Sequence, residues 1–167
     1  MEKSQKIILA VLGAILLVLL VVTIVVVVDR NKTVYGDFVP PPFDENAVKG
    51  RPDNVDKAFE YGELQLREGY VVLMARSPAV EDGAATLYLT APESNKVWVR
   101  VELYDEKGNL LGGSGVLRPG EYVNAIELER VPKKTGLVVA KIISYEPDTY
   151  YSYGVAQAQI MLRVPEA

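Results

Sequence analysis

Four tyrosines fall within ten residues near the C-terminus: Tyr145, Tyr150, Tyr151 and Tyr153, set among Glu146, Pro147, Asp148, Thr149, Ser152 and Gly154. The chemistry this cluster suits is non-covalent recognition. Tyrosine offers a large, rigid, amphipathic contact area at little conformational cost, and binding loops of β folds combine it with Ser and Gly for that reason. The alternative is corner packing, in which one or two rings fold back with their hydroxyls on backbone. Trp98 falls on the polar phase of its own strand and extends the aromatic surface if it points outward.

Bond-making chemistry is poorly supplied. With no His in the chain, the common general base at neutral pH, the Ser-His-Asp arrangement and imidazole metal sites are all excluded. The absence of Cys removes disulfides, thiolate ligands and thiol catalysis. Carboxylates remain, but Glu127 and Glu129 stand two apart on an expected strand and so share its solvent face, and Glu60, Glu63 and Glu68 suggest an acid/base pair by clustering alone. Asp105-Glu106-Lys107-Gly108 places a lysine where a calcium loop needs acidic ligands. Residues 111–115, Leu-Gly-Gly-Ser-Gly, share only composition with a phosphate loop, lacking its Lys and the helix that follows. No catalytic residue, cofactor or metal is expected, and the chain reads as a non-enzyme.

The elements that must position the tyrosines begin at the other end of the chain. Eighteen of the twenty-two residues 7–28 are Leu, Ile or Val, and none is charged. As a helix the run is about 33 Å long against a hydrocarbon core of about 30 Å. Insertion is favoured by on the order of 5–11 kcal/mol, an upper bound because the per-residue values apply at the bilayer centre. A secretory signal has a core of about 7–15 residues and a small-residue cleavage site, whereas this run continues through four valines into Asp29-Arg30. The expectation is an uncleaved single-pass signal anchor over 7–28, with a cytoplasmic tail over 1–6 and the C-terminal domain extracytoplasmic. Lys3 and Lys6 are matched by Arg30 and Lys32, so orientation rests on the shortness of the tail and not on flanking charge.

Residues 29–53 read as a Pro/Gly/Asp-rich linker. Pro40-Pro41-Pro42 enforces extended polyproline II at about 3.1 Å per residue, suited to a spacer or to a proline-rich ligand. Phe38 and Phe43 offer a third role, pinning the segment onto the domain.

Residues 54–167 carry period-two alternation. Val97, Val99, Val101 and Leu103 alternate with Trp98, Arg100 and Glu102, the pattern of a strand with one face on a core. Residues 156–164 repeat it. Further strands are expected over 70–75, 85–90, 110–112, 122–128 and 137–144, about seven in all. Asp105 to Asn109 supplies the residues of a hairpin, and Pro119-Gly120 those of a type II turn. Residues 54–66 read either as a short helix or as an extended arm. From 29 to 167 the chain holds 16 Lys and Arg against 21 Asp and Glu, which argues against a nucleic-acid partner and against lying on anionic headgroups.

The fold class expected is all-β: a single antiparallel sandwich behind a transmembrane helix and a linker. Residues 97–102, Asp105-Glu106-Lys107-Gly108-Asn109, Leu117-Arg118-Pro119-Gly120-Glu121-Tyr122, 126–128 and 138–142 together resemble the immunoglobulin-like and fibronectin-type-III-like modules of bacterial membrane-anchored surface proteins. The resemblance covers about 70–164. It departs from antibody domains in lacking the Cys pair and in the phase of Trp98. It implies a non-catalytic membrane protein displayed at a bacterial surface, whose immunoglobulin-like domain binds a protein partner in adhesion or envelope scaffolding. The alternative is a carbohydrate-binding module recognising cell-wall or surface glycans through Tyr150, Tyr151 and Trp98.

Overall fold

The computed structural model describes residues 16–17, 21, 38–66 and 69–165. Two compact units result, Met1–Val39 and Pro40–Ala167. The expected transmembrane run lies almost wholly outside the described residues. Leu16, Leu17 and Val21 are helical and exposed, and among the described residues no helix is long and apolar enough to cross a membrane.

The second unit is all-β with antiparallel sheets. Its strands are β1 (Val48–Lys49), β2 (Tyr61–Gln65), β3 (Val71–Ala75), β4 (Val80–Glu81), β5 (Ala84–Ala85), β6 (Leu89–Ala91), β7 (Trp98–Tyr104), β8 (Leu110–Gly113), β9 (Glu121–Val123), β10 (Ile126–Glu127), β11 (Gly136–Tyr145) and β12 (Ser152–Leu162). One sheet has the order β1-β9-β6-β3-β2 and another the order β12-β11-β7-β8, with a small third sheet β10-β5-β4. Alternation builds the core between the two larger sheets. Val99, Val101 and Leu103 of β7, Ala140 and Ile142 of β11, and Val72, Met74, Leu89 and Ala91 of the other sheet are all fully buried in one apolar cluster. Each large side chain buried in this way contributes about 1.5–3 kcal/mol.

The expected strands are present, but two are broken and three more join them. Tyr88 has a left-handed φ of 51° and interrupts 85–90, and Asn124 to Ala125 interrupts 122–128 at the matching level. The halves diverge, Ala85 facing Ile126 in the small sheet and Leu89 facing Val123 in the large one, and the Tyr88 amide donates to the Asn124 carbonyl at 2.8 Å. Such a break lets one pair of strands serve two sheets at a corner. The added strands are β1, β2 and β4. Residues 54–66 resolve as a single 3₁₀ turn, Lys57–Phe59, followed by β2.

The hairpin between β7 and β8 closes as its residues require. Asp105 Oδ1 accepts the Lys107 and Asn109 amides at 2.9 and 2.8 Å, Oδ2 accepts Asn109 Nδ2 at 2.8 Å, and Gly108 takes a φ of 80°. The Asn109 side chain, its amide and the Lys107 amide hold the Asp105 carboxyl below its ordinary range. At Pro119-Gly120 the Glu121 amide donates to the Arg118 carbonyl at 3.0 Å, with Gly120 at a φ of 82°.

The linker expectation over 29–53 needs correction from Pro40 onward. Phe43 forms a parallel bridge with Val116, the Val116 amide donates to the Pro42 carbonyl at 2.9 Å, and the Asp44 amide donates to the Val116 carbonyl at 3.0 Å. Asp44 Oδ2 accepts the Gly115 amide at 2.9 Å, and β1 then pairs with β9. Gly115 is required by this approach, because a Cβ there would collide with the Asp44 backbone. Residues 40–53 therefore form an edge of the domain and not a free spacer.

Candidate functional site

Register brings the aromatic residues to one end of the four-stranded sheet. Tyr145, the last residue of β11, lies opposite Trp98, the first of β7, and also pairs with Ser152 at the start of β12. Both side chains occupy the outward phase, since the residues between them and the core alternate inward. An outward phase is not an exposed one here. The docked segment carries Phe43 onto Trp98, edge to face at 4.9 Å, and Tyr150 reaches back to meet Trp98 at 5.1 Å and Tyr145 at 6.1 Å. The Arg118 guanidinium stacks over the Phe43 ring at 3.5 Å and is paired with Glu121.

The loop between β11 and β12 is ordered by its own bonds. Glu146 and Tyr151 close it through an amide-to-carbonyl bond of 2.8 Å, and the Tyr150 amide donates to the Glu146 carbonyl at 3.1 Å. Thr149 Oγ1 donates to the Glu146 carboxylate at 2.9 Å and accepts the Tyr151 amide at 3.3 Å. Asp148 and Tyr150 both take left-handed φ values, 66° and 56°. Such backbone costs about 1–3 kcal/mol per residue and is retained only where the surroundings impose it. At Tyr150 this backbone coincides with ring contacts to Trp98 and Tyr145, while the next residue, Tyr151, is exposed.

The expected site residues thus divide. Tyr145 and Tyr150 pack, as does Trp98, while Tyr151 and Tyr153 remain 73% and 59% exposed. Burial pushes the Tyr145 phenol above its ordinary value, partly offset by the charge of Arg100 and a hydrogen bond from it, so Tyr145 stays protonated at neutral pH. Beside Tyr153 opens a cleft of about 420 Å³, lined also by Tyr70, Ser94, Lys96, Glu146 and Pro147. A cation, a carboxylate and a phenol edge converge there. The arrangement suits contact with a polar partner surface.

Sequence reasoning missed Arg118, which carried no signal because its partner lies far away in the chain. Phe43 had a signal as a possible pin, but nothing local tied it to Trp98. Among the described residues no group of three His, Cys, Asp or Glu side chains is placed to hold a metal ion. No protein-family model, curated protein or solved structure gives a significant match to the chain.

Proposed function

We propose that the chain is a single-pass membrane-anchored surface protein whose immunoglobulin-like domain binds a protein partner through the Tyr151 side of the β11–β12 loop. The observation that carries this reading is the division within the loop. Two rings and a tryptophan form a rigid back, Tyr151 and Tyr153 are held out to solvent, and Tyr153 lines a charged cleft. A rigid aromatic presented in advance loses little entropy on binding, which is the design expected of a recognition loop.

The strand order supports the immunoglobulin-like part of the proposal. The sheet β12-β11-β7-β8 has the neighbours of strands G, F, C and C′, and β3-β6-β9 those of A, B and E. The anchor rests on the uncharged apolar run over 7–28 and the extracytoplasmic address on the short tail before it. A protein partner is favoured over a glycan because Trp98 and Tyr150, two of the three expected sugar platforms, pack against other rings and leave Tyr151 alone of the three exposed.

The test compares full-length protein in detergent with a Tyr151→Ser, Lys96→Ala variant in pull-downs from solubilised membranes of its own cells, alongside a glycan array. Both positions are exposed, so the fold should be unchanged. A partner captured by the wild type and lost by the variant supports the reading. Equal capture by both removes the loop as the site, and array binding without protein capture replaces the partner with a glycan.

A further inference from the structure

We propose that residues 40–46 are a releasable strap lying in a peptide groove, and that the open groove takes an extended Pro-Phe-Asp segment of a partner protein in the strap's place. The inference concerns a second site and does not depend on what the β11–β12 loop binds.

The domain contacts the strap one residue at a time. The Val116 amide donates to the Pro42 carbonyl at 2.9 Å, the Phe43 ring lies 4.9 Å from Trp98 with the Arg118 guanidinium over it at 3.5 Å, and Asp44 Oδ2 accepts the Gly115 amide at 2.9 Å. A carbonyl, a ring and a carboxylate each meet a matching group. Gly115 lets the segment come this close, since a Cβ there would collide with the Asp44 backbone. The prolines ahead of the ring hold the segment extended before it docks, which lowers the entropy lost on docking. An extended proline-rich ligand on an aromatic floor is a recurring mode of peptide recognition.

The groove is held by bonds that do not involve the strap. Val99 and Leu117 exchange amide-to-carbonyl bonds at 3.0 and 2.8 Å, the Ser114 amide donates to the Val101 carbonyl at 2.9 Å, and the Arg118 amide donates to Glu121 Oε2 at 2.7 Å. Tyr150 packs on Trp98 at 5.1 Å. The strap adds nothing to the apolar core: no residue of 40–46 belongs to the buried cluster, and Pro40, Pro42, Glu45 and Asn46 are exposed. Its ladder contact is the single isolated bridge from Phe43 to Val116, and its three prolines have no amide to donate. The unit begins at Pro40, so the strap can leave without interrupting any strand. A segment with so few buried contacts opens at a lower free-energy cost than the domain unfolds.

The strap itself defines what the open groove selects. A partner segment presenting proline, an aromatic ring and an acid in that order satisfies Val116, Trp98, Arg118 and Gly115 as Pro42, Phe43 and Asp44 do. The tethered strap acts at an effective concentration of about 1 mM, so an untethered segment competes at a disadvantage and gains when the strap is weakened. The strap is thereby an autoinhibitory contact, and a partner binds in proportion to the fraction of chains in which the groove is open.

The test adds a capped synthetic peptide copying residues 39–46 to the full-length protein in detergent and reads the emission of Trp98, the sole tryptophan. Phe43→Ala and Asp44→Ala weaken the strap by separate routes, and each should bind the peptide at least about tenfold more tightly than the wild type does. In Phe43→Ala the peptide should return the emission toward the wild-type wavelength. Adding Gly115→Ala to either variant should abolish binding, because its Cβ blocks the approach. A peptide with Ala in place of the Phe should not bind. By light scattering, Phe43→Ala should leave the oligomeric state of the wild type unchanged. The proposal is overturned if neither variant binds at about 1 mM peptide, the effective concentration of the strap itself. It is equally overturned by equal binding to wild type and variants, by binding that survives Gly115→Ala, or by a wild-type dimer that Phe43→Ala dissolves, which would make the occupant a second copy.

Discussion

Removing the Phe43 ring tests whether the segment before β1 is part of the domain. The ring meets Trp98 edge to face at 4.9 Å, an arrangement worth about 0.5–1.5 kcal/mol beyond burial. The guanidinium of Arg118 over the ring adds about 0.5–1 kcal/mol at a partly exposed site. Truncating a fully buried Phe costs about 3–5 kcal/mol, and Phe43 is half-buried, so lost packing contributes about 1.5–2.5 kcal/mol. These contributions share atoms and do not simply add, and Phe43→Ala should cost about 3 kcal/mol. For a domain of this size that lowers the melting temperature by about 10–15 °C. Phe43→Leu keeps apolar volume and loses only the aromatic contributions, so it should fall between the two. Trp98 is the sole tryptophan, and its emission reports on the same contact. The assay is thermal unfolding of the full chain in detergent followed by Trp98 fluorescence, with limited proteolysis across 40–46. Phe43→Ala should shift emission to the red and open this segment to cleavage. A melting temperature within about 2 °C of wild type, with unshifted emission, would refute the docking and return residues 40–53 to the role of a spacer.

Three further outcomes follow from the geometry. Tyr150→Ser should destabilise by about 1–2 kcal/mol through its contacts with Trp98 and Tyr145, while exposed Tyr151→Ser should change stability by under about 0.5 kcal/mol; equal melts would mean that the loop is not divided as described. Gly112→Ala places a Cβ against the Glu127 carbonyl oxygen and 3.0 Å from Leu128 Cα, backbone atoms that cannot rotate away, so it should cost about 1–3 kcal/mol in a denaturant melt, whereas a neutral result would mean that β8 is not closed by residues 127–128. The Asp105 carboxyl has a folded-state pKa below its unfolded value, so its stabilisation is present above the unfolded pKa and is lost as pH falls through the folded one. Asp105→Asn should therefore be less stable than wild type at neutral pH and converge with it in acid, and a stability difference that does not change between pH 7 and pH 2 would contradict the hydrogen-bond assignment.

What the sequence made legible was local. Alternation at Val99, Val101 and Leu103 identifies the buried face of β7 without reference to any other strand, and Asp105 to Asn109 closes a hairpin with bonds that span at most four residues. What it hid depends on distant pairings. Pro40-Pro41-Pro42 is extended whether it hangs free or docks, and only Gly115 and Val116, more than seventy residues on, decide between the two. Tyr88 sits in a pattern that reads as one strand, and its left-handed backbone is imposed by a corner shared with Asn124. The tyrosine loop combines both cases. Composition marked it as a surface or a packing element, and the choice falls residue by residue, because period two sends Trp98 and Tyr145 to the outer face regardless of what covers that face. Phe43 covers it. The covered end then holds Tyr150 against Trp98 and Tyr145, and the next residue, Tyr151, is exposed. The exposure of the loop is therefore set less by the strand that carries it than by the segment that lands behind it, which is why Phe43→Ala should disturb the proposed recognition through Tyr151 as well as stability.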